Sequence, residues 1–275
     1  MSTEHQTQSK SSLTESGYRY QWQLFLVALA FFTRIPIPTS TPFSTERLNH
    51  ANRYFGVIGI IVGVICSLIY LLFIMLLPAT ITIGIAMISG LLITGAFHED
   101  GLADVFDGFG GGWTVESKLN IMKDSRLGTY GASALVMALG LKWLALVSLA
   151  NINLYFPIYA FIVIHCISRV AAASLIFSYP YVRADQDSKV KPLANQQSLL
   201  DIGILLTTGI LVLSILPLSL ALSCLITTIL IRQSCGYWFN HQLGGYTGDC
   251  LGATQQLAEI TGYLTLLTFA SHYHF

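Results

Sequence analysis

Residues 98–108 read His-Glu-Asp-Gly-Leu-Ala-Asp-Val-Phe-Asp-Gly. On a helix, Asp100, Asp104 and Asp107 stand at i, i+4 and i+7, inside an arc of roughly 60° at about 100° per residue. Leu102, Val105 and Phe106 then point the other way. Carboxylates lined along one stripe repel each other unless positive charge sits between them. A divalent cation with oxygen ligands is the usual remedy, and for Mg²⁺ that generally brings a phosphate-bearing substrate too. The stripe therefore points to an enzyme.

Two further segments extend this chemistry. Gly108-Phe109-Gly110-Gly111-Gly112 reads as a flexible hinge whose backbone can approach a ligand closely. Thr114 is placed to cap a following amphipathic helix with Glu116 in its first turn. Val115, Leu119 and Met122 form its apolar stripe, Lys118, Lys123, Asp124 and Arg126 its polar side, and Gly128 its end. This helix reads in two ways. It lies on the membrane with solvated charges, or Lys123 and Arg126 grip phosphate oxygens beside the metal, with Asp124 as a further ligand or base.

The second segment is Gly244-Gly245-Tyr246-Thr247-Gly248-Asp249. A helix starting near Asp249 would put Asp249, Gly252, Gln256 and Glu259 on one face. Glycine turns ahead of a helix suit phosphate, but Asp249 repels a bare anion, so a metal in between is the better expectation. The bland reading of Asp249 is a helix cap. Glu259 and Arg169 lie inside apolar stretches, where a charge needs a partner or a function. For Arg169, one turn after His165, a structural carboxylate and a substrate phosphate are equal alternatives. Lys142 reads as structural, and His98 as a base or a bystander.

These groups must be positioned by apolar elements. The chain has 275 residues, 53% of them hydrophobic and 10% charged, with zero formal net charge. Its mean hydropathy of +0.63 does not describe a soluble globule. Apolar runs near 54–77, 79–97, 129–150, 154–178, 200–216, 218–235 and 251–270 are about 20 residues long, enough to span a bilayer. A shorter run at 22–38 contains Arg34 and two prolines, which leaves open whether it crosses. The expected fold is all-α and polytopic, with about seven to eight transmembrane helices. Residues 1–21 form a polar, disordered N-terminus, not a signal peptide, and 22–275 a single transmembrane catalytic domain.

Connections 39–53, 98–128, 179–199 and 236–250 are long and polar, whereas those around Pro78, Asn151–Asn153 and Pro217 are short and uncharged. Lysines and arginines gather with the long ones, which places these, and the chemistry, at the cytoplasmic face. Neutral charge and the lack of a basic stripe argue against nucleic acid. The five cysteines show no metal spacing and read as small buried side chains. Gly56, Gly59 and Gly63 suit close helix packing.

Three motifs carry a resemblance: His98-Glu-Asp-Gly-Leu-Ala-Asp104, Ile121-Met-Lys-Asp-Ser-Arg-Leu-Gly128, and Gly244-Gly-Tyr-Thr-Gly-Asp249 followed by Leu251-Gly-Ala. With Phe32-Thr-Arg-Ile-Pro36 and Arg53-Tyr-Phe55, they make the chain similar, over nearly its whole length, to the cobalamin synthase family of adenosylcobinamide-GDP ribazoletransferases. A looser likeness links Asp104-x-x-Asp107-Gly108 to the CDP-alcohol phosphotransferases of phospholipid synthesis, but the Ala-Arg and second aspartate pair that should follow are missing. A cation-coupled transporter is the non-enzyme alternative.

The first resemblance implies that a ribazole, or its 5′-phosphate, joins adenosylcobinamide-GDP with release of GMP. It implies Mg²⁺ as cofactor, held by Asp100, Asp104, Asp107 and Asp249, with Asp124 completing the acidic centre. Asp104, Asp107, Asp124, Lys123 and Arg126 would be catalytic. Lys123, Arg126, Arg169, Gly245 and Asp249 would bind substrate. The implied partners are corrinoid and ribazole substrates and the lipid of a bacterial inner membrane, with homo-oligomers or association with other enzymes of the pathway left open.

Overall fold

The computed structural model describes residues 17–183 and 196–270, so most of the polar N-terminus, Lys189, Lys191 and the terminal histidines lie outside it. The described residues are helical: α1 (Gly17–Phe32), α2 (Thr45–Ala51), α3 (Phe55–Ile74), α4 (Ala79–Thr94), α5 (Phe97–Gly111), α6 (Val115–Ile121), α7 (Thr129–Ile152), α8 (Phe156–Ser178), α9 (Leu199–Leu213), α10 (Leu218–Leu243) and α11 (Gly248–Ala270). The chain is thus an all-α, multi-pass membrane protein.

Among the described residues, four helical stretches are long and apolar enough to cross a membrane, or five if the bent pair α4–α5 counts as one. The sequence predicts about seven to eight. The shortfall has a physical reason. α4 and α9 have 16 and 15 residues, and α11 buries Thr254, Gln255, Gln256 and Glu259, which lower its hydropathy.

α8 is the axis of the bundle, with both its charged and apolar side chains buried. α3 packs tightly along it. A Cβ on Gly59 would stand 2.2 Å from the His165 carbonyl oxygen, and one on Gly63 2.6 Å from that of Phe161. Only glycine allows these backbones so close, as the glycine spacing predicts.

The run 22–38 does not cross the bundle. α1 stops at Phe32, ahead of Pro36 and Pro38. Near its start, Gln21 accepts hydrogen bonds from Arg53 Nη1 (3.2 Å) and the Tyr54 hydroxyl (2.6 Å), at the beginning of α3. Just past its other end, Arg34 N donates to the Ile93 carbonyl (2.7 Å), at the end of α4. Both ends of α1 therefore meet the same end of the bundle, the one carrying the long polar connections. There, too, Arg53 pairs with buried Asp201, tying the start of α9 to the turn before α3.

Candidate active site

The acidic stripe lies on α5. Gly95 and Ala96 adopt consecutive left-handed conformations (φ +68° and +56°) that end α4, and α5 leaves at 86° to it. Leu102 and Val105 on its apolar side are buried in a cluster with Phe239, Cys250 and Ala253. That anchorage turns Asp100 and Asp104 outward: Asp100 is exposed and Asp104 half-buried.

α11 meets α5 at two glycines. A Cβ on Gly101 would lie 2.9 Å from the Asp249 carbonyl oxygen, and one on Gly252 3.1 Å from that of His98. This crossing brings Asp249 beside the Asp100–Asp104 turn. Asp249, Gly252, Gln256 and Glu259 share one face of α11, turned to α5 and the interior, in keeping with the expected spacing.

The carboxylates feel one another. Burial, then the charges of Asp249 and Asp100, push the Asp104 carboxyl up to about 7. Burial raises that of Asp249 to about 6, against the opposing pull of Arg183. Arg183 Nη2 donates to Asp249 Oδ2 at 2.7 Å and to the Met122 carbonyl at 3.3 Å. Oxygen donors crowded until they resist ionisation suit a hard divalent cation. Among the described residues, no group of three His, Cys, Asp or Glu side chains stands ready to hold an ion.

The other candidates divide. Asp107 is engaged elsewhere: its oxygens accept from the Gly128 and Gly131 amides, both at 2.8 Å, capping the start of α7. The hinge expected at 108–112 is instead a packed last turn of α5. Gly108 is buried, and a Cβ there would lie 2.5 Å from Met122 Cγ. Thr114 does cap α6, accepting from Ser117 N (3.1 Å), but the helix ends at Ile121 and not at Gly128.

Lys123 is exposed on the connection after α6. Arg126 bonds back to Asp124 through Nε and Nη2, and that pairing holds the Asp124 carboxyl below its usual range. Gly245 is buried against the 180–182 segment, where a Cβ would lie 2.2 Å from the Pro180 oxygen. Arg169 sits apart from the carboxylates, inside the bundle, donating to the His165 carbonyl (2.9 Å) and contacting its Nδ1 (3.1 Å).

Arg183, one of the basic residues of the long polar connections, is a group that nothing in the sequence singles out. It is delivered by a short parallel pairing, in which Val182 N donates to the Tyr246 carbonyl and Tyr246 N to that of Pro180, each at 3.0 Å. No local pattern announces a contact between segments so distant in sequence.

The sequence profile of the cobalamin-5-phosphate synthase family matches residues 24–267. An adenosylcobinamide-GDP ribazoletransferase of Shewanella woodyi is 56% identical over 252 residues, covering 92% of this chain and 98% of the relative. One from Shewanella frigidimarina is 53% identical over 247 residues, covering 90% and 95%. No solved structure matches.

Proposed function

The chain belongs to the cobalamin-5-phosphate synthase family, and from that premise we propose that its α5–α11 carboxylates serve the closure of the cobalamin nucleotide loop. The enzyme joins adenosylcobinamide-GDP to a ribazole, or ribazole 5′-phosphate, and releases GMP. Membership sets aside the phospholipid-forming phosphotransferase and the transporter. The oxygen of a ribazole hydroxyl forms the new bond to the cobinamide-linked phosphorus, and the hydroxyl proton is released. The bond to the bridging oxygen breaks, and its electron pair leaves on GMP. In such a transfer the protein acts by positioning and by charge.

Asp100, Asp104 and Asp249 would hold Mg²⁺, a hard cation suited to their oxygens. When bound, the ion screens the pyrophosphate and the charge developing on the bridging oxygen. Arg183 orients the Asp249 carboxylate and supplies a fixed cation at its rim. Lys123 and Arg126, exposed on the connection before α7, would close on the pyrophosphate, Arg126 exchanging Asp124 for phosphate oxygens. Asp107 fixes the start of α7, on which that connection ends. The deep, partnered position of Arg169 argues against its touching this pyrophosphate. The clustering of basic residues around the long connections supports a site open to the cytoplasm from a bacterial inner membrane.

The observation that carries this reading is the convergence of Asp249 on the Asp100–Asp104 turn, with two of the three carboxyls pushed up. The test is GMP release from adenosylcobinamide-GDP by the purified full chain. Release should require both ribazole and Mg²⁺ and stop with EDTA. Undiminished release in EDTA would refute the metal.

A further inference from the structure

Next to the Asp100, Asp104 and Asp249 carboxylates, the bundle interior holds a second polar cluster that the transfer itself does not use. Gln256 of α11 is its junction: Nε2 donates to Glu99 Oε1 of α5 at 2.9 Å, and Oε1 accepts from Lys142 Nζ of α7 at 2.7 Å. Lys142 Nζ also lies 3.6 Å from Glu99 Oε1 and 3.5 Å from Glu259 Oε1. The network reaches α8 through Gln255, which donates to Ser168 Oγ at 3.2 Å. Glu99, Lys142, Gln256 and Glu259 are all buried.

Stability alone does not account for this cluster. Replacing buried ion pairs with apolar packing is often neutral or stabilising. The cluster is also incompletely satisfied, since His98 Nε2, Glu99 Oε2 and Arg169 Nε are buried without partners, and all three residues line one small internal cavity. Departures of this kind are expected where function constrains a core. What a directional network does supply is a unique arrangement. Glu99 directly precedes Asp100, so the two side chains project about 100° apart on α5. Gln256 lies on the same face of α11 as Asp249. Pairing Glu99 with Gln256 therefore fixes both the rotation and the shift of α5 against α11, and with them the approach of Asp100 and Asp104 to Asp249.

We propose that Glu99, Gln256 and Lys142 form a buried brace that positions the acidic stripe, acting as positioning residues for the transfer. The inference rests on the reading of Asp100, Asp104 and Asp249 as the metal-holding group. Its test uses the full chain in detergent with three readouts: Mn²⁺ affinity by electron paramagnetic resonance without substrates, GMP release, and thermal midpoint. Gln256→Leu should weaken Mn²⁺ binding and turnover by about 10–100-fold, the scale for groups that orient metal ligands, while KM for the corrinoid substrate stays unchanged. Glu99→Gln, which keeps an acceptor for Gln256, should recover most of both; Glu99→Leu should not.

Unchanged Mn²⁺ affinity in folded Gln256→Leu, whatever its thermal midpoint, would overturn the brace. Should that variant not fold, Gln256→Asn, one methylene shorter, is read in the same way. Asp104→Asn is run in parallel. If it binds Mn²⁺ as the unmodified chain does, the metal-holding group itself is misassigned and the brace falls with it. Loss in Asp104→Asn with normal binding in the Gln256 variants removes the brace alone.

Discussion

Asp104 and Asp107 share one stripe, yet their surroundings give them different work. Asp104 faces Asp249 and Asp100 with its carboxyl raised to about 7, whereas Asp107 spends both oxygens on backbone amides. Asp104→Asn should therefore insert and fold normally while GMP release falls by orders of magnitude. Asp107→Ala strands two amide donors at the start of α7. A cost of about 1–3 kcal/mol is expected for the buried Gly131 donor left unpaired, seen as a lower thermal midpoint, with turnover per folded molecule much less affected. The opposite pattern, lost turnover at an unchanged midpoint, would return Asp107 to the metal. Arg183 gives a prediction with a sign. It lowers the Asp249 carboxyl from where burial would put it, so Arg183→Ala should raise that carboxyl further and let protons compete better with the ion. The Mg²⁺ concentration for half-maximal turnover should rise most at acid pH and approach the unmodified value as pH increases. A shift independent of pH would assign Arg183 to the substrate instead.

At the scale of elements, the glycines of α3 are not equivalent. A Cβ on Gly56 would meet side-chain atoms of Val170 and Thr208 at 3.0 and 3.3 Å, which can give way, whereas one on Gly59 meets the backbone of α8 at 2.2 Å. Gly56→Ala should fold in near-normal yield. Gly59→Ala should lose about 1–3 kcal/mol to overpacking, measured as recovery of folded protein and thermal midpoint in detergent. That contact was legible in the sequence, because small residues at helical spacing in an apolar run have few other uses. The acidic stripe was legible for a similar reason: the 3.6-residue period and the mutual repulsion of carboxylates are both local facts. What the sequence did not disclose depends on distant partners. The period that aligned Asp107 with Asp104 carries no information about amides at Gly128 and Gly131. The glycines at 108–112 looked like a hinge only because Met122 and Lys118, which pack onto Gly108 and Gly112, are not visible as neighbours along the chain. Arg183 reaches Asp249 through a pairing across the fold. Lys142 read as structural, and only its contacts place it between Glu99 and Glu259.

The whole molecule is polar at one end and apolar at the other. α1 lies with both its ends at the polar end, and α5, α6 and the Asp249 turn join it there. The described lysines and arginines inside the bundle, Lys142 and Arg169, are held by Gln256, Glu259 and His165. Any partition of this body into a bilayer that hides the apolar flanks leaves the two ends in different compartments, and basic charge favours the cytoplasm for the polar one. The chain offers a clean way to check this, since all five native cysteines are free and buried and should give little background labelling. Trp113 is exposed at the polar end and Met75 at the other, with 96% and 81% of their surfaces open. In intact spheroplasts a membrane-impermeant maleimide should label Met75→Cys and spare Trp113→Cys. In inverted inner-membrane vesicles the pattern should reverse. Labelling of Trp113→Cys from outside intact spheroplasts would turn the molecule over, and would deny the α5–α11 carboxylates direct contact with nucleotides made in the cytoplasm.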